Sequence, residues 1–244
     1  MRPVKSYAIW FSQRTGSTLL CKTLESTGIA GKPEEFFLDI SSYSDPVVFQ
    51  QYLWENGTTE NGVFGVKLSM YKVGFEAILR LFRKLPGAQT LPSDVDVWNH
   101  AIPNCKHIFM TRRNKIRLAV SWWKAIQSGE WHREHGCIPL ESDLTDKYSY
   151  DALNHLLVDC CMREAAIQEF FTRGDITPLT IVYEDFIRNV DETIKRILDF
   201  LEIEYDPGLH IESLHYERLA DDISEEWVQR FRKERQAAWD NAVW

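Results

Sequence analysis

The chain has 244 residues, 44% of them apolar, and a formal net charge of −8 at pH 7. Such content can fill one substantial core, so a single domain over 1–244 is expected, and the charge argues against binding polymeric nucleic acid. Five cysteines, odd in number and without a C-x-x-C pair, give no argument for a disulfide scaffold and fit a reducing cytoplasm. The apolar run near the N-terminus is too short for a signal peptide, and no stretch approaches the roughly 20 apolar residues of a membrane span.

Tyr7 to Phe11 is a predicted strand, followed at once by Ser12-Gln13-Arg14-Thr15-Gly16-Ser17-Thr18 and then by Leu19, Leu20 and Leu24 at helical spacing. The predicted helix runs from about Ser17 to Thr27 and stops at Gly28. A tight turn between strand and helix aims backbone N–H groups at one point, and the helix start adds about half a positive charge. An oxyanion of phosphorus or sulfur is its natural guest, although many such turns in α/β proteins bind nothing. The nucleoside-triphosphate pattern G-x-x-x-x-G-K-[ST] is not met, because Phe11 stands at the first glycine and Ser17 at the lysine. The turn keeps a cation, Arg14, and two hydroxyls, Ser17 and Thr18.

Next comes Ala30-Gly31-Lys32-Pro33-Glu34-Glu35-Phe36-Phe37, where Pro33 rules out a continuous helix and two acids precede two rings. A carboxylate beside aromatic surface, close to a cationic turn, is a candidate general base; a solvated acid pair opening a helix is the alternative. From Leu38 to Gly62 the chain is irregular and then aromatic, with Phe49, Tyr52 and Trp54. An acceptor-binding insertion at about 38–62, a dimer contact and plain surface packing all fit it. Val63 to Ser69 is the second strand, with Lys67 either a charged strand end or a residue at the ligand edge of an open sheet. A helix is expected over Val73 to Leu85 and a loop over Pro86 to Asn104.

The third strand, Lys106 to Met110, ends in Thr111-Arg112-Arg113 and leads into a helix from Ile116 to Ile126, with Ser121 eight residues after Arg113. An arginine fork with a hydroxyl makes a second phosphate clamp. His132, Arg133 and His135 lack a third ligand at metal-binding spacing and read as surface or substrate contacts. A long helix from Tyr148 to Arg173, a fourth strand from Leu179 to Tyr183, a helix from Val190 to Leu201 and a last helix carrying Trp227 and Phe231 complete the chain. Alternating strands and helices predict a three-layer α/β/α sandwich around a central parallel sheet.

Four segments in this order, FSQRTGSTLL, GIAGKPEEFF, RRNKIRLAVSWWKA and ERLADDISEEWVQRF, resemble the bacterial sulfotransferases typified by trehalose 2-sulfotransferase. The likeness spans about Ser6 to Lys233 and is weakest at Leu38 to Gly62 and Gly87 to Asn104. It implies the sulfotransferase fold with a P-loop-like phosphosulfate-binding turn. It also implies a donor, 3′-phosphoadenosine 5′-phosphosulfate (PAPS), with adenosine 3′,5′-bisphosphate (PAP) as product and no metal. On this resemblance Arg14, Thr15, Gly16, Ser17 and Thr18 hold the 5′-phosphosulfate, Arg113 with Ser121 holds the 3′-phosphate, and Arg218 adds to the donor site. Glu35 is the catalytic base, with Arg14 and Lys67 stabilising charge. Gln13, Lys32, Pro33, Glu34, Glu35, Phe36 and Phe37 face the acceptor, a carbohydrate or glycolipid hydroxyl with a trehalose-like sugar among the candidates. A cytoplasmic homodimer is implied as well. A nucleotide-kinase-like phosphoryl transferase, disfavoured by the missing lysine, and a non-catalytic nucleotide-binding protein of the same fold are the alternatives.

Overall fold

The computed structural model describes residues 2–133, 136–138, 140, 142–209, 211 and 219–239. In chain order the elements are β1 (Lys5–Phe11), α1 (Ser17–Ser26), α2 (Pro46–Gly57), β2 (Val63–Ser69), α3 (Lys72–Phe82), α4 (Asp94–Ala101) and β3 (Cys105–Thr111). Then follow α5 (Lys115–Ser128), α6 (Tyr150–Arg173), β4 (Leu179–Val182), α7 (Tyr183–Phe186), α8 (Val190–Phe200) and α9 (Asp222–Gln236). The described residues form two compact units: 2–12, 16–111, 163–209 and 211 make the first, and 13–15, the described part of 112–162, and 219–239 the second.

The first unit is built on an all-parallel sheet which, among the described residues, has four strands in the order β2-β1-β3-β4. Strand side chains alternate between faces, so a strand with helices on both sides is apolar throughout. β1 shows this directly. Ala8 and Trp10 pack with Phe64, Val66, Leu68 and Phe109, under Phe82 of α3, Trp98 of α4 and Phe170 of α6. Tyr7, Ile9 and Phe11 face the other way, onto Leu20 and Leu24 of α1 and Ile194 and Ile197 of α8. Helices therefore cover both faces, and the unit is the expected three-layer α/β/α sandwich. Trp10 donates a 2.9 Å hydrogen bond from Nε1 to Nδ1 of buried His107, and burial pulls that imidazole down to about 4.

One expectation is corrected. Pro86 to Asn104 is not all loop, because residues 94–101 form α4. Ser93 caps it by accepting from Asp96 N at 3.1 Å, the Ser93 N–H donates in return to the Asp96 carboxylate at 3.2 Å, and Val97 and Trp98 are buried. The prolines and acids around this short helix hide its apolar face.

In the second unit α5, the first half of α6 and α9 pack through Leu118, Val120, Trp122, Leu153, Leu156, Trp227 and Phe231. Arg117 pairs with Glu225 at 2.6 Å and Lys124 with Asp221 at 2.5 Å. Among the described residues no helix is long and apolar enough to cross a membrane.

Candidate active site

The register aligns the C-terminal ends of the strands: Phe11 lies opposite both Ser69 and Met110, and Thr111 opposite Val182. From β1 the chain crosses to β2 on one side, and from β3 to β4 on the other. In open α/β sheets, ligands bind where neighbouring strands send their connections in opposite directions. The sequence places Gln13-Arg14-Thr15 directly after one of these strand ends and Arg112-Arg113 directly after the other.

The backbone after β1 is wound tightly. Arg14 has φ +64° and Gly16 φ +83°, and Gly16 begins α1 with no capping side chain. Positive φ costs a non-glycine residue about 1–3 kcal/mol, a strain characteristic of ligand clamps. Gly16 is required for a second reason: a Cβ there would lie 2.6 Å from Cδ2 of Tyr183. Ser17, expected to offer its hydroxyl to the donor, is buried at the first turn of α1.

Glu35 is held by a strap that runs along β2. The Tyr7 hydroxyl donates to the Ala30 carbonyl at 2.6 Å, Gly31 N to Thr59 Oγ1 at 3.1 Å, and Lys32 N to the Gly57 carbonyl at 2.9 Å. Lys67 N then donates to the Glu34 carbonyl at 3.0 Å, extending the sheet by one parallel bridge between Glu34 and Val66. Gly31, with φ +74°, passes so close to β2 that a Cβ would meet Gly65 N at 2.8 Å and the Val63 carbonyl at 3.1 Å.

This strap brings Glu35 to Lys67. The Lys67 ammonium, 4% exposed, lies 3.4 Å from Glu35 Oε2, donates to Thr18 Oγ1 at 3.0 Å, and stands 5.5 Å from the centre of the Phe11 ring. The neighbouring Glu34 pairs with Lys22 at 2.6 Å; that bond, with a second to Glu25, raises the Lys22 ammonium above the usual lysine range. Cys21, on the buried side of α1, has its thiol pushed up to about 12 by burial and is no nucleophile.

Glu34, Glu35 and Asp39 line a cavity of about 350 Å³ together with the rings of Phe36, Tyr43 and Tyr52. Phe36 meets Tyr52 edge to face at 5.9 Å, and Tyr43 lies 5.5 Å from Tyr52. The sequence assigned Phe36 to the acceptor but did not single out Asp39 or Tyr43. Phe37 is 8% exposed and belongs to the core, against Phe49, Phe82 and Trp98, while Lys32 is exposed and Pro33 buried.

In the second unit Arg14 donates from Nε to Ser121 Oγ at 3.0 Å and from Nη1 to the Trp131 carbonyl, and Arg112 Nη1 donates to the Arg14 carbonyl at 3.4 Å. Arg14 and Ser121, expected in separate clamps, are thus hydrogen-bonded. Gln13 is half-buried. Arg113 is exposed and directly precedes Asn114, which caps α5 by accepting from Arg117 N at 3.0 Å. Arg218 and His135 lie outside the described residues. Among the described residues no three His, Cys, Asp or Glu side chains converge as a metal site. The sequence reading also missed Glu164 on α6, which accepts from Ser12 Oγ at 2.9 Å and from Thr111 Oγ1 at 3.0 Å.

Two curated proteins are similar over nearly the whole chain. The trehalose 2-sulfotransferase of Mycolicibacterium smegmatis is 29% identical, the alignment covering 95% of this chain and 96% of that protein. The trehalose 2-sulfotransferase of Mycobacterium tuberculosis is 27% identical, covering 96% of each. Among solved structures, the sulfotransferase domain from the Synechococcus PCC 7002 olefin synthase matches 85% of this chain and 76% of its own at 15% identity, with a TM-score of 0.35. The sequence profile of the Stf0 sulphotransferases matches residues 6–45 and 38–234. With that profile running from the first strand to the last helix, the chain belongs to the Stf0 sulphotransferase family.

Proposed function

We propose that this chain transfers the sulfuryl group of PAPS to a hydroxyl of a carbohydrate or glycolipid, with Glu35 as general base. The observation that carries the reading is the Glu35 carboxylate, which lines the ring-walled cavity and lies 3.4 Å from buried Lys67. Sugars suit such a cavity, because ring faces stack on their C–H surfaces and carboxylates accept from their hydroxyls. The names of the two curated relatives point the same way, and a trehalose-like sugar is one candidate.

The donor supplies an electrophilic sulfur and a phosphate leaving group. Cationic Arg14, the glycine turn and the first-turn hydroxyls suit the phosphosulfate, and Arg113 with Ser121 suits the 3′-phosphate. Arg218 joins them on the strength of the resemblance alone. In the proposed step Glu35 takes the acceptor proton as the acceptor oxygen bonds to sulfur, and the sulfur–oxygen bond to the 5′-phosphate breaks, releasing PAP. Lys67 and Arg14 neutralise the charge that gathers on the transferring and leaving oxygens. Glu34, which lines the cavity, orients the acceptor, and Gln13 is an acceptor contact on the strength of the resemblance alone. A cytoplasmic homodimer belongs to the same reading, and sedimentation of the purified chain tests the dimer.

The decisive experiment is transfer of labelled sulfate from PAPS to a panel of sugars and glycolipids, with mass analysis of the products. A sulfated sugar is expected. Turnover of ATP in place of PAPS would overturn the proposal.

A further inference from the structure

The ladder between β1 and β3 ends at the pair Phe11 and Met110. The next residues in the chain are Ser12, just past β1, and Thr111, the last of β3, and one carboxylate takes over where the ladder stops. Glu164 of α6 accepts from Ser12 with Oε1 at 2.9 Å and from Thr111 with Oε2 at 3.0 Å. Ser12 is fully buried, so this bond is made out of contact with solvent. Both bonds are charge-assisted and stronger than neutral ones. Beyond the two hydroxyls the chain continues into Gln13-Arg14-Thr15 after Ser12 and into Arg112-Arg113 after Thr111.

We infer that Glu164 is a positioning residue for donor binding: it fixes the points from which the two arginine-bearing loops leave the sheet. The inference rests on the donor reading given above. The sheet core does not need this clasp, since β1 and β3 are already paired along their length. What the clasp adds is a set spacing at the start of two loops whose cations must meet a rigid nucleotide together, and small misplacements of such groups are costly.

The test measures PAP binding by calorimetry and steady-state kinetics in both substrates for the wild type, Glu164→Ala, Glu164→Asp and Glu164→Gln. Glutamine keeps both links, because its oxygen accepts from one hydroxyl and its amide donates to the other once that hydroxyl turns. Glu164→Ala and Glu164→Asp are expected to weaken PAP binding and raise the donor KM by roughly 10- to 100-fold. The acceptor KM should change less than about twofold, and Glu164→Gln should stay within about threefold of wild type. Ser12→Ala combined with Thr111→Val removes the same clasp from the other side and should reproduce Glu164→Ala, which keeps the question open to measurement if that variant folds poorly. Wild-type PAP affinity in a folded Glu164→Ala, or equal losses in donor and acceptor KM, would overturn the inference while leaving the donor reading intact. Absence of PAP binding by the wild type would instead overturn the donor reading itself, and the inference with it.

Discussion

The Lys67 ammonium lies 3.4 Å from the Glu35 carboxylate and is almost wholly buried, while Glu35 keeps 31% of its side chain exposed. The pair is asymmetric: Lys67 is enclosed by its partners, whereas Glu35 faces the cavity. Glu35→Gln keeps an oxygen for Lys67 but cannot take a proton. It should lower kcat by roughly 10²- to 10⁴-fold with PAP affinity within about threefold of wild type. Glu35→Leu strands the buried ammonium and should unfold more readily than Lys67→Met, which removes that charge. Chemical denaturation of the three variants, beside single-turnover rates, checks both statements.

The cavity carries three carboxylates, from Glu34, Glu35 and Asp39, and among the described residues no cation pairs with Asp39. Neutral sugars should therefore outperform their uronic-acid counterparts as acceptors, by roughly tenfold in kcat/KM at low salt. Asp39→Asn should narrow the gap several-fold without altering PAP binding. Competition assays with matched sugar pairs at two ionic strengths measure it.

Gly31 leaves no room for a side chain between the strap and β2. Gly31→Ala combines a left-handed φ of +74° with a contact of 2.8 Å to Gly65 N. A loss of about 2–4 kcal/mol is expected. Calorimetric melting should show a Tm lower by roughly 5–15 °C. Activity should fall further than the folded fraction does, because Glu35 rides on the displaced segment.

His107 makes stability depend on pH. Its folded value, about 4, is below the ordinary 6.5, because burial disfavours the charged ring. The unfolded chain therefore binds the extra proton first as pH falls. The stabilisation is complete above pH 6.5 and is lost on acidification towards pH 4, by about 3 kcal/mol in all. Urea titrations at pH 7.5, 5.5 and 4.5 should follow this course, and His107→Asn, which still offers Trp10 an acceptor, should flatten it.

Much of this architecture is visible in the amino-acid order. Strands buried on both faces read as short apolar runs, which is why Tyr7 to Phe11 and Val63 to Ser69 stand out, and Lys67 is conspicuous as a charge near the end of such a run. The turn at Arg14 to Thr18 is legible because glycine, hydroxyls and a cation fall between a strand and a helix. Glu164 is not, since one glutamate in a 24-residue helix looks solvated and its partners lie 152 and 53 residues away. The hydrogen bond between Arg14 and Ser121, 107 residues apart, is hidden for the same reason. Asp39 and Tyr43 sit in an irregular stretch where no periodicity marks an inward side.

The lacing of residues 30–34 to β1, to the end of α2 and, at Glu34, to β2 decides how Glu35 moves. A proton acceptor borne on a free loop must be brought into place in every cycle. This one is mounted beside the outermost pairing of a parallel sheet, so its location is inherited from the fixed separation of neighbouring strands. The Lys67 amide proton should accordingly exchange with deuterium as slowly as those at the middle of β1, and adjustments on substrate arrival should fall to the arginines rather than to the acid.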